Sequence, residues 1–226
     1  MNEMLNNNLK NSFFKKDENL ESVLLELNHL INNIQPNNVQ SLPSSPILLI
    51  MGCPRSGTTL FLQWLAALGV FSYPSNLIAR FYSNPYVGIK VQQALLELDP
   101  INQLGFVQSK FDFSSNLGKT IGALNPSEYW YFWREYFKFQ STNFLTEDDL
   151  NKINVEELLK KLNAFESITS KPLVMKGLLL NWHIPFLHNC YDKFIFVDLK
   201  EIISITRNLF LRQEKNISIQ RKNGIH

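Results

Sequence analysis

The chain has 226 residues, 45% hydrophobic and 19% charged, which is enough length and apolar content to bury a core and excludes a mostly disordered, collagen-like or coiled-coil chain. Its 22 Lys and Arg against 20 Asp and Glu leave a net charge of +2 with no basic block, so a nucleic-acid partner is not expected, while a local anion site is still open. Two cysteines, Cys53 and Cys190, are too few for a disulfide scaffold; His183 and His188, five apart, do not have zinc-ligand spacing, and no metal is expected.

The N-terminus, Met1 to Lys16, lacks the apolar region of a secretory signal, and no stretch reaches the roughly 18 apolar residues of a membrane span. A reduced, cytoplasmic protein is the reading. Residues 1–45 form an asparagine-rich extension. Within it Leu20, Val23, Leu24, Leu27, Leu30, Ile31 and Ile34 recur at helical spacing, predicting one amphipathic helix over about 18–34 that packs on the body. Pro36, Pro43 and Pro46 mark a linker before the main domain, 46–226.

Ile47 to Met51 is a continuous apolar run ending in Gly52, the signature of a strand buried on both faces. Thr58 to Leu68 reads as a helix closed by Gly69. Helices are predicted near 87–98, 127–139 and 147–165, the last opening on Thr146 as a cap with Glu147, Asp148 and Asp149 in the first turn. Pro172 to Lys176 and Lys193 to Val197 are further strands, and a helix follows over about 200–213. The fold class is α/β: a P-loop nucleotide-binding type with a small, mostly parallel sheet and a helical insertion.

The segment Gly52-Cys53-Pro54-Arg55-Ser56-Gly57-Thr58-Thr59 lies between the best strand and the best early helix. Free backbone N–H groups and the helix dipole favour an anion there. Two glycines permit close backbone approach, three hydroxyls add donors, and Arg55 adds a fixed charge, so the loop suits a phosphate or sulfate. The glycine spacing is that of the nucleotide P-loop, but Thr58 occupies the position of its lysine, which disfavours a nucleoside triphosphate with Mg²⁺.

Gly52 to Leu60 resembles the phosphosulfate loop of sulfotransferases that use 3′-phosphoadenylyl sulfate (PAPS), in the form G-x-P-R-S-G-T-T-L, and the resemblance extends over about 46–213. Ser75 to Phe81, Asn84 to Tyr86 and Asn125 to Trp133 resemble further segments of bacterial members, the last on the acceptor side. The resemblance implies metal-free, in-line transfer of a sulfuryl group from PAPS to a hydroxyl or amine of a small-molecule, carbohydrate or lipid-linked acceptor. It implies that Arg55 stabilises the leaving phosphate and that Ser56, Gly57, Thr58 and Thr59 bind the 5′-phosphate. Lys176 resembles a second catalytic lysine.

Glu128 and His183 are the candidate general bases. Glu128 adjoins Tyr129, Trp130, Phe132 and Trp133, rings that could desolvate it and form an acceptor pocket, or could be core with Glu128 in a first helical turn. Lys200 and Asn208, with Arg207 beside them, have the spacing of the family's arginine and serine for the 3′-phosphate. Lys200 there lacks the guanidinium fork. Against the family the chain reads as shortened after this helix. The competing readings are a P-loop kinase or NTPase, for which Phe194 to Asp198 would be the metal-binding strand, and a sulfotransferase relic without activity. A cysteine-dependent phosphatase does not fit, because Thr59 stands where its arginine belongs.

Overall fold

Ile47–Gly52 (β1) is the central strand of a three-stranded sheet of order β2-β1-β3, with Val174–Lys176 (β2) and Phe194–Leu199 (β3) both parallel to it. A computed structural model describes residues 17–34, 42–98, 101, 103–105, 113–116, 118–140 and 142–200. In register, Ile50 stands opposite Lys176 on one side and Val197 on the other. Ile47, Leu49 and Met51 face the larger core, while Ile50 faces a smaller one, so the run is apolar on successive residues because both faces are covered.

Thr58–Ala67 (α2) follows the loop after β1 and covers the smaller face, where Leu62 and Leu65 pack with Ile50 and Val174. The larger core is built by Pro85–Gln92 (α3), Trp130–Tyr136 (α4) and Val155–Thr169 (α6), with contributions from Ile184–Cys190 (α7). The helix expected over 87–98 starts at Pro85 and continues as a π-helical turn over Gln93–Glu97. The one expected over 147–165 is two. Glu147–Leu150 (α5) has the Thr146–Asp149 capping box, and Asn154 then starts α6 anew by accepting from the Glu157 N–H. The helix expected over 200–213 lies outside the described residues beyond Lys200.

Glu18–Ile31 (α1) is capped by Asp17, which accepts from the Asn19 and Leu20 N–H groups. Its contact with the body differs from the expected stripe. Leu24 and Ile31 are buried, but Leu20, Val23, Leu30 and Ile34 are exposed. The dock is polar instead. Buried Asn28 donates to the Leu24 and Arg80 carbonyls and accepts from the Ser83 N–H, and Tyr131 donates its hydroxyl to Glu21. No described helix is long and apolar enough to cross a membrane.

The end of the linker is fixed to α6. The Glu166 carboxylate accepts from the N–H and hydroxyl groups of both Ser44 and Ser45 at 2.5–3.1 Å, and Lys193 donates to the Ser44 carbonyl at 3.0 Å. Burial pushes the Glu166 carboxyl up, but the hydrogen bonds from the two serines outweigh it and hold the group below its ordinary value of 4.5. A carboxyl depressed on folding contributes stability that is fully present above its unfolded pKa and is lost as pH falls through its folded pKa. Melting temperatures recorded from pH 6 down to pH 3 should therefore fall less steeply for Glu166→Gln than for the unsubstituted protein, and equal slopes would remove Glu166 from this role.

Candidate functional site

The loop between β1 and α2 is bent by backbone conformations that ordinary residues avoid. Gly52 has φ 134°, and a Cβ there would stand 2.7 Å from the Leu199 carbonyl oxygen, so β1 and β3 can leave the sheet this close together only with glycine at that position. Arg55 has φ 75°, a left-handed conformation that is costly for a side-chain-bearing residue. Gly57, at φ 88°, is the N-cap of α2 and has no side chain to satisfy the first N–H groups. The Ser56 N–H closes a turn on the Cys53 carbonyl at 3.2 Å.

Arg55 is exposed at the crest, and its guanidinium makes no hydrogen bond or ion pair among the described residues. The Ser56 hydroxyl oxygen is shielded from solvent and has no hydrogen-bond partner among the described residues, an orphaned polar atom inside the loop. Thr58 is buried. Cys53 is exposed with a free thiol.

Three residues named from the sequence meet at the next position. Lys176, the last residue of β2, donates from Nζ to the Thr59 hydroxyl oxygen at 2.6 Å and to Glu128 Oε1 at 2.7 Å. The lysine side chain is 2% exposed and that of Glu128 20%. Burial pushes the Lys176 ammonium below its ordinary value of 10.5, opposed by the charge of Glu128 and then by its hydrogen bond. The Lys176 carbonyl accepts from Trp133 Nε1 at 2.9 Å, which ties the strand end to α4.

Glu128 reaches the cluster because it lies outside the helix. Tyr129, at φ 55°, is the N-cap of α4, and Glu128 precedes it. Of the two expected settings, the one that made the rings core holds for Tyr129, Phe132 and Trp133, but its placement of Glu128 does not. Glu128 is not in a first helical turn, and it is not boxed by the neighbouring rings. Tyr129, Phe132 and Trp133 are almost fully buried core: Tyr129 stacks on Phe132, while Trp133 meets Phe132 and Phe165 meets Tyr129 edge to face; Trp130 is exposed against Arg134. The neighbour of Glu128 is a cation.

His183 does not join this cluster. Its buried ring bonds through Nε2 with the Asn143 carbonyl oxygen at 2.8 Å and lies among Phe137, Phe139 and Phe144. Lys200 is exposed and pairs with Asp198 at 3.5 Å. Arg207 and Asn208 lie outside the described residues.

Two residues at the site had not been singled out. Asn181 donates from Nδ2 to the Gly52 carbonyl at 2.9 Å and accepts the Gly52 N–H at 3.4 Å. β2 ends at Lys176 and the chain turns into the 3₁₀ segment Leu178–Leu180, so the Asn181 amide supplies the pairing that a longer strand would give Gly52. Nothing in the local sequence links the two residues. The other is Gly118, whose Cβ position would fall 2.8 Å from Glu128 Oε1 and 3.7 Å from the Thr59 hydroxyl. The Asn116-Leu117-Gly118-Lys119 sequence is a turn signal that could have drawn attention to it.

No family model matches the chain, and neither a curated protein nor a solved structure matches it.

The Lys176–Glu128 pair carries two checkable consequences. A lysine whose pKa is lowered on folding binds its proton more weakly than in the unfolded chain, so stability rises with pH from the folded pKa up to the ordinary value. Glu128→Gln removes the opposing charge and should destabilise the protein by about 2 kcal/mol at pH 7. The deficit should shrink as pH is raised toward 10, read as the difference in denaturant midpoint between variant and parent; a deficit independent of pH would contradict the pairing. Asn181→Ala leaves both Gly52 groups without the amide. It should cost about 1–2 kcal/mol and raise the hydrogen-exchange rate of the loop amides selectively, and protection unchanged across 52–59 would show that the clamp does not hold the loop.

Proposed function

We propose that the 52–59 loop is a phosphosulfate-binding P-loop and that the chain transfers the sulfuryl group of PAPS to an acceptor hydroxyl or amine. The observation that carries this reading is the junction of loop and strand end: Lys176 Nζ sits on Thr59 with Glu128 beside it, at the end of the loop that carries Arg55, which has no partner among the described residues. The orphaned Ser56 hydroxyl and the open N-terminus of α2 supply donors for a 5′-phosphate oxygen. The fit is to an anion with modest charge, since Thr58 is buried where a triphosphate site would present lysine.

In the reaction the acceptor oxygen or nitrogen forms a bond to sulfur while the bond from sulfur to the bridging phosphate oxygen breaks. The electron pair leaves with that oxygen on the nucleotide. Negative charge gathers there, and Arg55 and Lys176 are the cations placed to meet it, each effect of this kind being worth roughly 3–4 kcal/mol. The acceptor proton passes to the Glu128 carboxylate, which has one oxygen on Lys176 and serves as general base. His183 is assigned no role. For the 3′-phosphate, Lys200 is the described candidate, and binding there requires it to exchange Asp198 for the ligand.

Calorimetric titration with 3′,5′-adenosine bisphosphate, AMP and ATP–Mg²⁺ tests the reading. The bisphosphate should bind most tightly. Preference for ATP–Mg²⁺ would overturn it in favour of a kinase or NTPase, and no binding by any of the three would leave a relic of the fold. Arg55→Ala should keep the melting temperature, because the side chain is exposed, and lower sulfuryl transfer from PAPS by 100-fold or more; full activity in this variant would remove Arg55 from the chemistry.

A further inference from the structure

We propose that Gly118 is a positioning residue: the turn Asn116–Lys119 roofs the Thr59–Lys176–Glu128 cluster, and the volume of the absent side chain is the volume that the Glu128 carboxylate occupies. The turn is closed by reciprocal backbone bonds, Asn116 N–H to the Lys119 carbonyl at 2.9 Å and Lys119 N–H to the Asn116 carbonyl at 3.0 Å. Gly118 lies within it at φ 91°, a conformation open to glycine, so its backbone can pass directly over the carboxylate. A Cβ at that point would be 2.8 Å from Oε1, the oxygen that holds Lys176, and 3.4 Å from the carboxyl carbon.

The roof is anchored on both sides. Before the turn, the Ser114 carbonyl accepts from the side chain of buried Gln63 on α2 at 3.1 Å. After it, Asn76 donates to the carbonyl and hydroxyl oxygens of Thr120, and the Thr120 hydroxyl donates to the Pro126 carbonyl at 2.8 Å. A turn fixed in this way does not rise to admit a methyl group, whereas Glu128 turns about its side-chain bonds. The carboxylate is therefore the part that gives, and moving it takes Oε1 off Lys176.

The catalytic consequence rests on the reading of Glu128 and Lys176 given above; the geometric one does not. Gly118→Ala is compared with the unsubstituted protein by following the Lys176 Cε resonance in a carbon-13 lysine spectrum as pH is raised. With Glu128 displaced, the proton affinity of Lys176 should fall about tenfold. The double variant Gly118→Ala with Glu128→Asp, whose shorter side chain clears the methyl group, should recover most of it. An unchanged Lys176 titration in folded Gly118→Ala overturns the proposal. If Gly118→Ala does not fold, Gly118→Asn, a residue that tolerates positive φ and carries a Cβ at the same point, takes its place in the Lys176 titration: a lowered proton affinity supports the collision with the carboxylate, and an unchanged one overturns it. On the sulfotransferase reading, Gly118→Ala also lowers kcat about tenfold or more with the affinity for 3′,5′-adenosine bisphosphate retained. A shifted Lys176 titration in a protein that binds no nucleotide would uphold Gly118 and reject the enzyme, so the two failures are separate.

Discussion

An ammonium taken out of water must be paired, and the Lys176 side chain is 2% exposed with two oxygen partners, Thr59 and Glu128. Much of the surrounding architecture follows from holding these three groups within hydrogen-bond reach. Lys176 is fixed because β2 pairs it with Ile50 of the central strand and because Trp133 donates to its carbonyl. Thr59 is fixed by the first turn of α2. Glu128 is fixed by its place just before the cap of α4, whose rings are packed into the main core. Three segments far apart in the chain are thereby joined at the carboxyl end of the sheet, where parallel α/β sheets place their ligands.

The same region concentrates backbone strain. Arg55 and Tyr129 are two of the described side-chain-bearing residues with positive φ; Arg55 lies in the loop that ends at Thr59, and Tyr129 directly follows Glu128 in the chain. Such conformations cost roughly 1 kcal/mol or more apiece and persist where neighbours over-determine them. Tyr129 is over-determined by burial and by stacking on Phe132 at 4.8 Å. The loop that carries Arg55 is held at its start by the Asn181 amide on Gly52 and at its end by Lys176 on Thr59. Both grips come from one six-residue stretch, Lys176 to Asn181, so the strand end that supplies the cation also sets the span of the loop.

What could be read from the sequence divides along the range of the interaction. The three strands, the loop and α2 were legible because a buried parallel strand and a glycine-bounded turn are written in adjacent residues: Ile47 to Met51, then Gly52 and Gly57. Lys176 was legible as a strand-end cation for the same reason. Its pairing with Glu128 was not, since 48 positions separate them and only the packing of α4 against β2 brings them together. The aromatic run after Glu128 has the composition of a pocket wall and of a core alike. Helix packing decided it, turning Phe132 and Trp133 inward and leaving Trp130 outside. The stripe on α1 misled for a related reason: its apolar spacing is real, but buried Asn28 carries the dock through bonds to Arg80 and Ser83.

The near-balance of charge over the whole chain reappears at the site, and on the proposed reading it bears on selectivity. Glu128 compensates Lys176, so the pair contributes little net field to the loop. The uncompensated charge is Arg55, exposed and without an acidic partner among the described residues, reinforced by the partial positive end of α2. A loop with one full cation and a set of neutral donors matches an anion of low charge density better than a triphosphate, which needs a lysine and a metal ion to neutralise it. On the proposed sulfotransferase reading, negative charge building on the leaving group would draw Lys176 from Glu128, and the carboxylate would then be free to accept a proton. What the structure itself fixes is the pair: the buried position that makes an unpaired Lys176 unfavourable keeps cation and carboxylate together at the end of β2.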